Sequence, residues 1–172
     1  MRIVLVVPIV WLLIQQQFFT ALVLFALAGL SDAVDGYLAR HYNWQSWWGS
    51  VLDPLADKLL QVSCYITLAW MGAIPYWLVA TIVLRDVIII MGALIYHNRV
   101  TAFEAEPSVI SKFNTFAQIV LILIVIVHIG IIAMPGLLLQ GMIYLVFFST
   151  VYSGIDYVYR WTHRAVKHQA KE

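Results

Sequence analysis

The chain has 172 residues, of which 63% are hydrophobic and 11% charged, with a net charge of +1. Soluble domains carry roughly 25% charged residues, so this composition, with a mean hydropathy of +0.88, argues against an ordinary soluble protein and predicts an integral membrane protein forming one domain, residues 1–172. The near-neutral charge gives no nucleic-acid signal, and the single Cys64 excludes an internal disulfide and reads as a small core residue.

Apolar runs broken by polar, Pro or Gly residues predict six helices, over roughly 2–14, 17–40, 50–71, 75–97, 111–133 and 137–160. The first run, Ile3 to Ile14, has no small-residue cleavage site and is followed by Gln15-Gln16-Gln17. It reads as a short first span, abbreviated against the roughly 20 residues a crossing needs. The second run carries Asp32 and Asp35 and closes at Arg40; the third opens with Gly49, Asp53 and Asp57. The fourth holds Arg85-Asp86 in mid-run, where ions are rare in a membrane. On the fifth, Ser111, Thr115 and Gln118 form a polar stripe beside Lys112, and His128 stands alone as an expected hydrogen-bonded core residue. The sixth ends with Asp156 four residues before Arg160, a helical pair, and runs into a basic tail of Arg160, Arg164, Lys167 and Lys171 suited to anionic headgroups.

Lys and Arg fall before the first helix, in the second and fourth connections and in the tail, and are absent from the first, third and fifth connections. The positive-inside rule then predicts an all-α polytopic membrane protein with six transmembrane helices and both termini cytoplasmic. Trp44, Trp47, Trp48, Trp70, Tyr76, Trp77 and Trp161 sit at run ends, as an interfacial aromatic belt would.

The most informative stretch is Asp32-x-x-Asp35-Gly36-x-x-Ala39-Arg40, eight residues, then Gly49-x-x-x-Asp53-x-x-x-Asp57. Spacings of three and four put each aspartate pair on one helix face. If the second and third helices are antiparallel neighbours, four carboxylates converge and repel unless cations intervene. Hard divalent cations with oxygen ligands, Mg²⁺ or Mn²⁺, resolve that repulsion and leave room for phosphate oxygens; two of them would form a clamp for phosphoryl-type transfer. Gly36, Ala39 and Gly49 lie on the same stripes and would leave a slot for substrate, although small residues also serve close helix packing. A purely structural set of caps and salt bridges, Asp32 with Arg40 or Asp57 with Lys58 or Arg85, accounts for one pair but not for all four carboxylates.

Every fixed position and the gap of that string match the signature of the CDP-alcohol phosphatidyltransferases, and the chain resembles that family. Leu52-Asp53-Pro54-Leu55-Ala56-Asp57-Lys58 and Pro107-Ser108-x-x-Ser111-Lys112-x-x-Thr115-x-x-Gln118 are similar to its glycerophospholipid branch, the phosphatidylglycerophosphate synthases and the cardiolipin synthases of eukaryotic type. Ser31-Asp32, Gly49-Ser50, Arg85-Asp86 and Ser111-Lys112-x-Asn114-Thr115 lean toward the cardiolipin synthases. The family's longer amphipathic lead into its first span is not seen here.

The resemblance implies a CDP-diacylglycerol donor, two divalent cations held by Asp32, Asp35, Asp53 and Asp57, and Asp57 as general base. It further implies Gly36, Ala39, Gly49 and Arg40 around the CDP moiety, and phosphatidylglycerol or glycerol 3-phosphate as acceptor, with CMP released. Arg85 and Lys112 are the candidates for an acceptor phosphate, Arg85 because a guanidinium suits one. A homodimer in a bacterial or organelle inner membrane, with its site on the cytoplasm-equivalent face, completes the expectation. The rival readings are a cation transporter using the same aspartates, which would need a polar path through both leaflets, and a noncatalytic lipid-binding homologue, which would need a damaged signature.

Overall fold

The structure, a computed structural model, describes the backbone of residues 2–41, 47–97 and 109–169; within these, the side chains of 2–3, 32–33, 35–41, 47–55, 93–97 and 160–169 are outside the description. Among the described residues six helices follow one another: α1 (Arg2–Ile14), α2 (Phe18–His41), α3 (Trp47–Trp70), α4 (Tyr76–His97), α5 (Val109–Gly130) and α6 (Gly136–Gln169). The apolar runs set these elements, and α6 continues past the expected 160 because no Pro or Gly interrupts the basic tail before Gln169.

The expectation of six membrane-crossing helices is overturned. Among the described residues two helices are long and apolar enough to cross a membrane, Val109–Gly130 and the Gly136–Tyr159 part of α6. A crossing needs roughly 20 apolar residues; α1 has 13, and the apolar part of α2 stops at Ser31, before Asp32. Among the described residues the fold is all-α with two such helices, consistent with membrane association, and the placement of both termini in the cytoplasm falls with the span count. The expected belt residues Trp44, Trp47, Trp48 and Trp161, and the basic residues of the tail and of the 98–108 connection, lie outside the described side chains.

The chain divides into two compact units, Met1–Pro75 with Ile122–Gly136, and Tyr76–Leu121 with Leu137–Glu172. In the first, α1 packs on α2 and α3, and its buried residues include Ile9, Leu13, Ala21, Leu60, Cys64, Tyr65 and Leu68. Two of its helix ends close in the same way. After α1, the N–H of Gln17 donates to Leu12 O (2.9 Å) and that of Gln16 to Leu13 O (3.0 Å), with Gln16 at φ 58°. After α3, Ala73 N–H donates to Leu68 O and Gly72 N–H to Ala69 O, both at 2.9 Å, with Gly72 at φ 78°. Both are Schellman motifs, which satisfy the last carbonyls by placing one residue in the left-handed region. Glycine occupies that position without strain at the end of α3; at the end of α1 a glutamine does, at a steric cost of roughly 1–2 kcal/mol.

At the end of α5, Ile131 and Ile132 N–H groups both donate to Val127 O, and Met134 N–H donates to His128 Nδ1 at 2.8 Å. His128 is therefore hydrogen-bonded, as expected, but half-buried and engaged with the following loop. Gly130 lies so close to Phe18 that a Cβ there would overlap the Phe18 Cβ and ring.

Two substitutions read these features with opposite sign. Gln16→Gly is expected to raise stability by about 1 kcal/mol by relieving the left-handed residue, and Gly130→Ala to lower it by about 1–3 kcal/mol through overpacking against Phe18. Thermal unfolding followed by exposure of the buried Cys64 thiol to a maleimide reports both.

Candidate functional site

The sequence places Asp32, Asp35, Gly36, Ala39 and Arg40 in the second half of α2, and Gly49, Asp53 and Asp57 in the first half of α3. The side chains of Asp32, Asp35, Ala39, Arg40 and Asp53, and the surroundings of Gly36 and Gly49, lie outside the described residues. Asp57 is described: it stands half-buried on α3, between buried Ala56 and half-buried Lys58, one turn before buried Leu60 and Gln61. Among the described residues no group of three or more His, Cys, Asp or Glu side chains is placed to hold a metal ion. Three of the four candidate carboxylates are not among those residues.

The polar geometry that is described lies in the second unit, where α4, α5 and α6 meet. Arg85 and Asp86, expected as mid-run ions on α4, are 5% and 7% exposed. Arg85 Nη1 donates to Asp86 Oδ1 at 2.8 Å, while Nη2 donates to Ser111 Oγ of α5 at 2.6 Å and to Ser153 Oγ of α6 at 2.7 Å. One guanidinium thus joins three helices. Its Nε–H, also buried, has no hydrogen-bond partner among the described residues. The two mid-run ions thus pair with each other, and the contacts leave Arg85 held in one orientation.

A second network lies alongside. Gln118 Nε2 donates to Thr150 Oγ1 (3.2 Å), Thr150 Oγ1 to Asn114 Oδ1 (2.9 Å), and Ser149 Oγ to the same Asn114 oxygen (2.7 Å). Asn114, Gln118 and Thr150 are fully buried. Hydrogen bonding is what makes such groups tolerable in an apolar environment, and pairing across helices fixes which residues face each other. The contacts also give directions. Trp77 meets Phe147, Arg85 meets Ser153 and the carbonyl of Ile89 accepts from Tyr157 OH, so α4 and α6 run parallel; Ser111 shares Arg85 with Ser153 while Asn114 meets Ser149 and Thr150, so α5 runs antiparallel to α6.

Of the predicted polar stripe on α5, Ser111 and Gln118 are in these networks, while Lys112 is exposed at their edge. Ser149, Thr150 and Ser153 were not singled out from the sequence, and Asn114 entered only through the resemblance. The available signal was their recurrence at spacings of one, three and four within an apolar helix, the same stripe pattern read on α5. The Asp156–Arg160 pair falls partly outside the description, since the Arg160 side chain is not included.

The profile of the CDP-alcohol phosphatidyltransferase family matches residues 1–152. The chain is 37% identical over 128 residues to cardiolipin synthase (CMP-forming) of Homo sapiens, covering 65% of this chain and 42% of that protein. It is 32% identical over 138 residues to the CDP-diacylglycerol–glycerol-3-phosphate 3-phosphatidyltransferase of Bacillus subtilis, covering 78% of this chain and 69% of that one. A 35% identity over 96 residues relates it to cardiolipin synthase (CMP-forming) of Streptomyces coelicolor, covering 51% and 45%. The match spans less than half the length of the human and Streptomyces relatives, and relatives of both names are found among the similar proteins.

The buried ion pair generates a stability prediction. Asp86→Ala leaves a buried guanidinium without its counter-charge and is expected to cost about 3–5 kcal/mol, whereas Lys112→Ala, at an exposed position, is expected to stay within about 0.5 kcal/mol. Thermal unfolding in detergent distinguishes the two.

Proposed function

The chain belongs to the CDP-alcohol phosphatidyltransferase family, and from that premise we propose that it transfers a phosphatidyl group from CDP-diacylglycerol to a hydroxyl of a glycerol-based acceptor, releasing CMP. The observation that carries this reading is the intact spacing of Asp32, Asp35, Gly36, Ala39, Arg40, Gly49, Asp53 and Asp57 inside the segment the family profile matches. We read residues 1–172 as one such domain; the match to 1–152, which draws on both compact units, supports this.

The donor chemistry of the aspartate set fits hard divalent cations, because carboxylate oxygens are the ligands Mg²⁺ and Mn²⁺ prefer. Asp32, Asp35, Asp53 and Asp57 would hold two such ions, which when bound supply charge neutralisation and electrophilic activation at the donor's pyrophosphate. The rest falls to the chain's own groups. Gly36, Ala39 and Gly49 keep bulk away from the CDP moiety, and Arg40 offers its guanidinium to the phosphates. Asp57 accepts the proton of the acceptor hydroxyl as that oxygen bonds to the β-phosphorus, and the bond from that phosphorus to CMP breaks. No covalent enzyme intermediate is required.

Arg85 and Lys112 are the proposed contacts for an acceptor phosphate. Arg85 is supported by its fixed orientation and by an Nε–H that has no hydrogen-bond partner among the described residues; Lys112 by its exposure beside Ser111. Phosphatidylglycerol and glycerol 3-phosphate are the acceptors in view, each in keeping with a set of related proteins. The setting is a bacterial or organelle inner membrane with the site on its cytoplasm-equivalent face, as a homodimer.

Purified protein supplied with CDP-diacylglycerol, Mg²⁺ or Mn²⁺, and either acceptor is expected to release CMP. EDTA is expected to abolish release, and Asp57→Asn to lower it by about 10²–10⁴-fold without loss of the folded state. Dependence on one acceptor assigns the branch. Folded protein that releases no CMP with any alcohol would overturn the transferase reading and return the aspartates to an ion-binding role.

A further inference from the structure

Beyond α5 the chain makes a short connection before α6 begins at Gly136. The N–H groups of Ile131 and Ile132 still reach Val127 O in the last turn of α5, and Pro135 has no N–H to offer. Among the described residues, the bond that ties the connection past Ile132 back to α5 is the one from Met134 N–H to His128 Nδ1, at 2.8 Å. It sits where the chain leaves the first compact unit at Gly136 for the second at Leu137. His128 and Met134 are half-buried, and Ile131, Ile132 and Ala133 between them are exposed. The connection follows directly on a helix long and apolar enough to cross a membrane, so it stands at the end of that apolar length, where a crossing segment meets water.

An imidazole nitrogen that accepts a hydrogen bond carries no proton of its own. The contact therefore fixes His128 as the neutral ring with its proton on Nε2. Protonation of Nδ1 sets a donor against a donor, and the bond to Met134 is lost. The charged ring has another preference, because His128 lies in the last turn of α5, where the helix dipole and the last carbonyls favour a cation. The two protonation states thus favour two arrangements of one turn.

Other ionisable groups leave His128 as the titrating element here. Gly130 stands against Phe18 at the start of α2, and the ionisable residues of α2 begin at Asp32, fourteen residues or roughly 21 Å of helix further on. On α1 the ionisable side chain is Arg2, at the end away from α2. On α3 they are Asp53, Asp57 and Lys58 in the first half, then Cys64 and Tyr65. From Phe113 to Ile155, through most of α5 and α6, the sequence has no Asp, Glu, Lys or Arg, and its tyrosines are Tyr144 and Tyr152. Thiols and phenols stay protonated in mild acid. On α4 the ions are Arg85 and Asp86, which pair with each other.

We propose that His128 is an acid-released latch on the connection between α5 and α6. Neutral, it holds Met134; protonated, it lets go of residues 131–135 and turns to the carbonyl end of α5. The latch uses none of the aspartates and does not rest on the transferase reading.

Hydrogen exchange of the purified full chain in neutral detergent, read by mass spectrometry on the peptide spanning 129–136, tests it between about pH 5 and pH 8. His128→Asn is the reference, since its Oδ1, bonded to Cγ as Nδ1 is in histidine, accepts from Met134 without titrating. Relative to that variant, the Met134 amide of the unsubstituted protein is expected to exchange equally fast near pH 8 and about tenfold faster near pH 5, as the loss of one hydrogen bond gives. His128→Leu, with no acceptor, is expected to exchange about tenfold faster than His128→Asn at both. Should His128→Asn not fold, the ratio of His128→Leu to the unsubstituted protein carries the test, falling from about ten near pH 8 to one near pH 5. A ratio that does not change with pH in either comparison would overturn the proposal. Nitrogen-15 NMR of labelled histidine gives a second readout on the unsubstituted protein, with the resonance absent from His128→Leu expected to report the Nε2–H tautomer near pH 8. An Nδ1–H tautomer there would equally overturn it.

Discussion

Arg85 is gripped from three helices at once, by Asp86 of its own α4, Ser111 of α5 and Ser153 of α6. A charge at this burial persists only with a counter-ion and hydrogen bonds, because desolvating an unpaired ion costs several kcal/mol. The second unit is arranged around meeting that demand. Parallel α4 and α6 bring Ser153 to Arg85, and antiparallel α5 brings Ser111. The neighbouring network of Asn114, Gln118, Ser149 and Thr150 holds α5 and α6 in the same register. Apolar contacts alone tolerate sliding between helices; directional bonds between specific residues do not.

The same pair explains how a polar centre coexists with a greasy exterior. Residues such as Leu84, Ile88, Ile155 and Val158 are exposed around it, which suits a hydrocarbon surround better than water. Arg85 and Asp86 point inward and answer one another, so the helix faces around them stay apolar.

The first unit depends on backbone closure. Its turns between α1 and α2 and after α3 use a left-handed residue and two reversed hydrogen bonds, so helices stop within one or two residues of their last intrahelical bond. The close approach of Gly130 and Phe18 shows what such tight connections require of side-chain volume. These devices position α2 and α3, the helices on which the aspartate motif is written.

The sequence by itself determined the six helices, since the apolar runs and their breaks are local and survive into α1 to α6 with ends shifted by a few residues, α6 excepted. It also determined the family, through eight fixed residues in a motif whose spacing is a property of the chain alone. Among the described residues, two helices are long and apolar enough to cross a membrane, fewer than the apolar runs; crossing depends on uninterrupted apolar length, and α1 and the apolar part of α2 are too short. Only the tertiary structure decided that Arg85 takes Ser153, 68 residues away, and that Asn114 joins Ser149 and Thr150. Helical periodicity assigns a residue to a face of its own helix, but partner choice depends on the direction and axial offset of a second helix, which no local pattern specifies.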